Sequence, residues 1–139
     1  MDCIFCKIIK GEIPSAKVFE NEKVFVFLDI SPLTEGHCLI IPKQHFENIF
    51  DIDENILEEI AKTAKELAGR IKIKLGVTGV QLVNASGKDA EQSVMHFHLH
   101  LIPRYENDGL EMNKWWQSKA SKPSIEDLQK LAEEIKQVK

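Results

Sequence analysis

The spacing of apolar residues switches between two periods along the chain, and the switches mark the elements. Lys17 to Glu20 and Lys23 to Asp29 read as two strands turning at Asn21-Glu22. The second contains Val24-Phe25-Val26-Phe27-Leu28, apolar at every position, the pattern of a strand buried on both faces. After Ser31-Pro32 and Gly36, His37 to Ile41 forms a third strand, predicted to stop at Pro42, which has no N–H for a ladder. From Asp53 to Leu75 the period lengthens. Ile56, Leu57, Ile60, Ala61, Ala64, Leu67, Ala68 and Ile71 recur at three- and four-residue steps, which predicts a helix with Asp51 or Asp53 as its cap and Gly76 as its stop. Val80 to Asn84 is a fourth strand, residues 85–92 a polar loop, and Met95 to Ile102 a fifth strand ended by Pro103. Ser124-Ile125-Glu126-Asp127 opens a last helix, with Ile125, Leu128, Leu131, Ile135 and Val138 on one face.

About five strands with one long helix inserted among them and a C-terminal helix predict an α+β fold. Most links are short, so neighbouring strands are expected to be antiparallel. So small a sheet leaves an edge exposed, and pairing with a second copy would cover it, so a homodimer is expected. The 139 residues fit one domain, 1–139, with residues from about 106 onward as a C-terminal extension.

Composition narrows the class. Apolar residues are 43% and charged residues 29%, an ordinary globular balance, and the formal net charge is −4. A duplex nucleic-acid partner normally needs a basic surplus, and none exists here. No apolar run reaches the roughly 18–20 residues of a membrane span. The start, Met1-Asp2-Cys3-Ile4-Phe5-Cys6, lacks the basic-then-apolar pattern of a secretory signal. Three cysteines fit a disulfide framework poorly. The expectation is a cytoplasmic protein whose thiols are reduced or metal-bound.

The candidate chemistry lies in the histidines. His96, His98 and His100 alternate with Phe97, Leu99 and Leu101. On a strand, alternate side chains share a face, so the three rings are predicted to point one way and the apolar residues into the core. At about 3.3 Å per residue the outer two lie roughly 13 Å apart, too far for one ion to hold all three. At least one imidazole is therefore left for other chemistry. Cys3 and Cys6 have the Cys-x-x-Cys spacing of a structural zinc knuckle, which a redox pair shares. A thioredoxin-like role needs a βαβ setting, and the pattern has none. Two further ligands would close a tetrahedron, and His45 with one outer histidine of the triplet are candidates. Cys38, in an apolar run, reads as a buried free thiol.

His96-Phe97-His98-Leu99-His100-Leu101-Ile102 resembles the signature of the histidine-triad family. Three further stretches are similar to its other motifs: Cys3 to Ile9 with Gly11-Glu12-Ile13-Pro14, Phe27 to Pro32, and Gly36 to His45. With Gln92-Ser93-Val94 before the triplet, the likeness spans roughly residues 3 to 105. It implies the histidine-triad fold and a hydrolase or nucleotidyl transferase acting at the α-phosphate of a purine nucleoside phosphate derivative. By the resemblance His98 would attack phosphorus and form a nucleotidyl-histidine, splitting one displacement into two. Neutral imidazole suits that task, since its ordinary pKa lies near 6.5.

The resemblance also implies the supporting cast. His100 would contact the α-phosphate and the leaving-group side. Gln92 and Ser93 would bind phosphate oxygens, with Ser93 placed to help protonate a leaving amine. Asn84 would add a phosphate or ribose contact, and Asp29 would accept the ribose hydroxyls. Phe5, Ile8, Phe27 and Ile30 would line a purine slot, with His37 as a supporting histidine. In zinc-bearing members the ligands correspond to Cys3, Cys6, His45 and His96, which implies one structural zinc per chain and no metal in the chemistry. Glu91 departs from the family, which often has glycine there.

The expected substrate is a nucleoside phosphoramidate such as an AMP-amine, on the strength of Gln92-Ser93-Val94. A dinucleoside polyphosphate hydrolase is the alternative, since Pro103-Arg104 is similar to that branch and Arg104 would pair with a distal phosphate. A zinc-dependent hydrolase and a non-catalytic nucleotide-binding protein are the remaining readings. Trp115-Trp116 reads either as C-terminal packing or as an aromatic wall at the site.

Overall fold

In the computed structural model, residues 2–139 are described. Residues up to Asp108 form one compact unit and Gly109–Lys139 a second. The first unit is an open five-stranded sheet, β1 (Lys17–Glu20), β2 (Val24–Leu28), β3 (Cys38–Pro42), β4 (Gly79–Val83) and β5 (Leu99–Arg104). Every pair is antiparallel, in the order β1-β2-β3-β5-β4. The fold is α+β, with β1 and β4 as the edges.

The all-apolar β2 is buried on both sides, and period 2 sorts its residues. Val24 and Val26 join Cys38, Ile40, Phe97 and Leu101 beneath the long helix α2 (Glu54–Leu75), which contributes Ile60, Ala64 and Leu67. Phe25 and Phe27, with Leu39 and Ile41, form the core of the other face with Cys3, Phe5 and Ile8. Those last residues belong to the short helix α1 (Ile4–Ile9) and its N-cap, which the hydrophobic pattern did not reveal, because six residues hold less than two full turns. The turn between β1 and β2 is held by Asn21, whose Oδ1 accepts the N–H groups of Lys23 and Val24 at 2.8 and 2.9 Å.

Both caps of α2 follow the predicted chemistry. Asp53 Oδ1 accepts from the N–H groups of Asn55 and Ile56, and Gly76 closes the helix at φ 69°, the left-handed region. The carboxylate of Asp51 instead accepts from the backbone N–H groups of Glu47 and Asn48 in the preceding turn.

The ends of β2, β3 and β4 lie within one residue of expectation, β3 running on to Pro42, which pairs with Val24, whereas the fifth strand differs more at both ends. The fifth strand begins at Leu99 rather than Met95, so His96 and His98 precede the ladder. The pairing Cys38↔Leu101, Leu39↔His100, Ile40↔Leu99 would set Phe97 opposite Pro42 if it continued. Proline has no N–H to offer there, and Phe97 N–H bonds instead to Phe46 O at 2.7 Å, in the chain after β3. At its other end β5 runs through Pro103 to Arg104. Its pairing with β3 has ended by then, so the missing N–H faces no ladder, and Pro103 O accepts from the Thr34 hydroxyl.

The second unit holds α3 (Met112–Lys119) and α4 (Ile125–Lys136). Ser124 caps α4, its Oγ accepting from Asp127 N–H at 3.1 Å. The helix α3 was not foreseen, and its Trp115 and Trp116 are 56% and 66% exposed. No helix among the described residues is long and apolar enough to cross a membrane.

Candidate functional site

Two groupings of imidazoles flank the run from Gln92 to His100. The first gathers Cys3, Cys6, His45 and His96, whose ligand atoms all lie within 4.8 Å of one another. Cys3 Sγ lies 3.5 Å and Cys6 Sγ 3.6 Å from His96 Nδ1, and Cys6 Sγ lies 3.4 Å from His45 Nδ1. Zinc bonds of about 2.3 Å to sulfur and about 2.0–2.1 Å to nitrogen give a tetrahedral S···N edge of roughly 3.5 Å. The donor set therefore fits a four-coordinate ion in both chemistry and spacing. The outer nitrogen of His96 supports that fit. Its Nε2–H donates to Pro42 O at 2.8 Å, which leaves the Nδ1 lone pair facing two sulfurs. His96 is fully buried, and burial pushes its pKa down to about 4, so its ring is neutral and able to ligate.

The second grouping is His37, His98 and His100. Leu33 N–H donates to His37 Nδ1 at 3.0 Å, so the proton of that ring sits on Nε2. That N–H in turn donates to His100 Nδ1 at 2.9 Å, so His100 carries its own proton on Nε2. Burial, with His98 and His37 nearby, holds the His100 pKa down at about 4, and burial likewise lowers that of His37 against the pull of Asp29. Asp29, His37 and His100 also lie close enough to share an ion, but a 2.9 Å N···N approach is a hydrogen bond, and the backbone N–H beside it fixes the direction. His98 is set the opposite way. Its Nδ1–H donates to His96 O at 2.8 Å, leaving Nε2 with a free lone pair. The rings of His98 and His100 lie 5.1 Å apart.

Both rings line a cleft of about 270 Å³ between α1, the end of β2 and the 92–98 run. Phe5, Ile8, Phe27 and Ile30 give it an apolar wall, and Asp29 and Ser93 are among its polar lining. Ile30 is 95% exposed at the rim, while Phe5 packs edge-on against both Phe27 and His98. Asp29 is oriented by Ser31 N–H at 2.8 Å, and one of its oxygens lies 3.7 Å from His37 Nε2. A roomier hollow of about 340 Å³ lies between the sheet and α2, near Leu67 and Ile71, and no histidine lines it.

Three of the expected residues are engaged elsewhere. Gln92, 7% exposed, donates to Glu47 O at 2.7 Å and Val94 O at 3.0 Å, and its Oε1 accepts from Gly87 N–H at 2.8 Å. Asn84 donates to His98 O at 2.9 Å and accepts from the Ser86 hydroxyl at 2.7 Å. Both side chains fasten backbone instead of facing the cleft. Arg104 grips Asp108 with two hydrogen bonds, at 2.7 and 2.9 Å, and reaches Gln81 at 2.6 Å. Glu91 takes the left-handed conformation at φ 61°, a region that favours glycine.

Three alternating histidines leading into β5 of an antiparallel sheet, one turned to sulfur and two to a cleft, define a histidine-triad type of site. The chain belongs to the HIT domain family, whose model matches residues 10–107. It superposes on the crystal structure of a HIT family protein from Bacillus subtilis with a TM-score of 0.86, at 39% identity, covering 100% of this chain and 99% of that one. A Zn-bound histidine triad family protein from Mycobacterium smegmatis matches with a TM-score of 0.77 at 34% identity, over 81% of each chain. The adenosine 5'-monophosphoramidase HNT1 of Candida albicans is 39% identical over 139 aligned residues, 97% of this chain and 90% of that one.

Proposed function

We propose that the chain hydrolyses purine nucleoside phosphoramidates, releasing an amine from the α-phosphate through a nucleotidyl-His98 intermediate. The observation that carries this reading is the pair of opposed tautomers at the cleft: a free His98 Nε2 lone pair beside the His100 Nε2–H. The likeness to a protein named adenosine 5'-monophosphoramidase supports the choice of bond. The purine lies against Phe5, Ile8, Phe27 and Ile30, and Asp29 accepts the ribose hydroxyls. His98 Nε2 attacks phosphorus, and the P–N bond breaks as the leaving amine takes a proton from the Ser93 hydroxyl. Water then attacks the phosphorus, gives a proton to Ser93, and breaks the P–Nε2 bond to release the nucleotide. The His100 N–H donates to phosphate oxygens in both steps, and fixed donors of this kind stabilise charge developing in the transition state. Asn84 and Gln92 act by holding the backbone on which His98 rides.

Cys3, Cys6, His45 and His96 hold a structural zinc in this reading, and the ion takes no part in the chemistry. A second copy of the chain pairs through an exposed sheet edge, for which β4 offers Leu82 and Val83. A dinucleoside polyphosphate is the weaker candidate, because the guanidinium of Arg104 is already gripped by Asp108.

The test compares adenosine 5'-phosphoramidate with a diadenosine polyphosphate, and rapid quenching followed by peptide mass spectrometry maps the adduct. The expected result is faster turnover of the phosphoramidate, an adenylyl mass on the His98 peptide, and a slower Ser93→Ala variant. Preference for the polyphosphate with indifference to Ser93→Ala, or an adduct elsewhere, overturns the proposal.

A further inference from the structure

The helix α1 belongs to both imidazole groupings at once. Cys3, its N-cap, and Cys6 in its first turn supply half of the ligand set, while Ile4, Phe5 and Ile8 form one wall of the cleft. The Phe5 ring stands edge-on to His96 at 5.8 Å and to His98 at 5.3 Å. His96 makes a second bridge, with its ring in the ligand set and its carbonyl holding the His98 N–H. A six-residue helix cannot hold itself in water, since nucleation alone costs more than so few hydrogen bonds return. This one has no side-chain cap and no acidic residue in its first turn. Its order rests on what it is tied to.

We infer that metal occupancy of the Cys3, Cys6, His45 and His96 site is thermodynamically coupled to nucleotide binding in the cleft, through α1 as a metal-clamped wall. The inference rests on the nucleotide reading above. A bound ion fixes both cysteines and so presents Ile4, Phe5 and Ile8 to the base. A bound nucleotide packs the same helix from its other side and so holds the two sulfurs in place. Each ligand then meets a helix already ordered by the other, and the coupling must be reciprocal.

The experiment uses the full chain, loaded with zinc or stripped by a chelator, and AMP as the probe. Isothermal titration gives the AMP affinity of both forms, and chelator competition gives the zinc affinity with and without saturating AMP. The expected result is AMP binding about tenfold weaker in the stripped chain, inside the ~5–150-fold span of ordinary coupling. Zinc binding should tighten by the same factor when AMP is present. Amide exchange should quicken over residues 4–10 of the stripped chain while α2 stays protected. Should stripping unfold α2 as well, the His45→Ala variant keeps three ligands, and its AMP affinity must then rise in step with added zinc. Equal AMP affinity in folded stripped and loaded chains, or a zinc affinity indifferent to AMP, overturns the coupling. Failure of the loaded chain to bind AMP at all overturns the nucleotide reading instead.

Discussion

The sulfur-flanked and the cleft imidazoles both draw on one run of chain, His96 to His100, yet within it they present opposite nitrogens. His96 gives its Nε2 proton to Pro42 O and turns Nδ1 inward to the cysteines. His98, two residues on, gives its Nδ1 proton to His96 O and keeps Nε2 free. His100 accepts at Nδ1 from His37 and shows an Nε2–H to the cleft. Three identical side chains at alternate positions thus present an inward Nδ1, a free Nε2 and an Nε2–H, which suit the ligand, nucleophile and donor of the proposed reaction. The side chain does not decide the role. The backbone group that engages its other nitrogen does, because a neutral imidazole has one proton and must choose.

Replacing His98 by Ala separates the groupings most sharply. Turnover is expected to fall by about 10⁴-fold or more, as for loss of other catalytic nucleophiles, while AMP affinity and zinc content stay near those of the parent. Loss of zinc together with turnover would show that the two groupings are one unit. A smaller effect is expected at Gln92, which fastens the chain entering the run. Gln92→Ala leaves backbone groups of Gly87, Glu47 and Val94 without partners, and a stability loss of about 1–3 kcal/mol is expected in denaturant melts. AMP affinity should change little, whereas a direct phosphate contact would lower it strongly.

The gentlest probe is pH. The His100 pKa is depressed to about 4 in the fold and lies near 6.5 in the unfolded chain, so between those values the unfolded chain binds more protons. Stability contributed by this ring is complete above pH 6.5 and is lost as pH falls towards 4. Melting temperature should drop across that window, and less steeply in His100→Asn. An identical slope in the variant would assign the titration to another group.

Legibility in the sequence follows how local each determinant is. The long helix was readable with both caps, because Asp53 and Gly76 act on residues beside them. The buried β2 was readable because Val24 to Leu28 are apolar at five successive positions. The ligand types and the triplet were visible as spacing. What remained hidden depends on residues far apart in the chain. Nothing near His96 announces that Phe97 N–H will bond to Phe46 O, which starts β5 four residues later than alternation predicts. Gln92 looks like a phosphate ligand until the loop carrying Glu47 comes within 2.7 Å. Arg104 looks free until Asp108 folds back on it. The tautomer of His98 is set locally by His96 O, but those of His96 and His100 depend on Pro42, Leu33 and His37, all more than fifty residues from the triplet.

Cys38 contributes a practical consequence. Its sulfur lies inside the core of the sheet, and burial raises its pKa to about 11, so at neutral pH it stays a protonated, unreactive thiol. An alkylating reagent applied to the folded chain therefore spares Cys38, and it reaches Cys6 and the buried Cys3 only when nothing coordinates them and α1 loosens. The number of carbamidomethyl groups added under native conditions, zero or two, becomes a direct gauge of how much of a preparation is metallated.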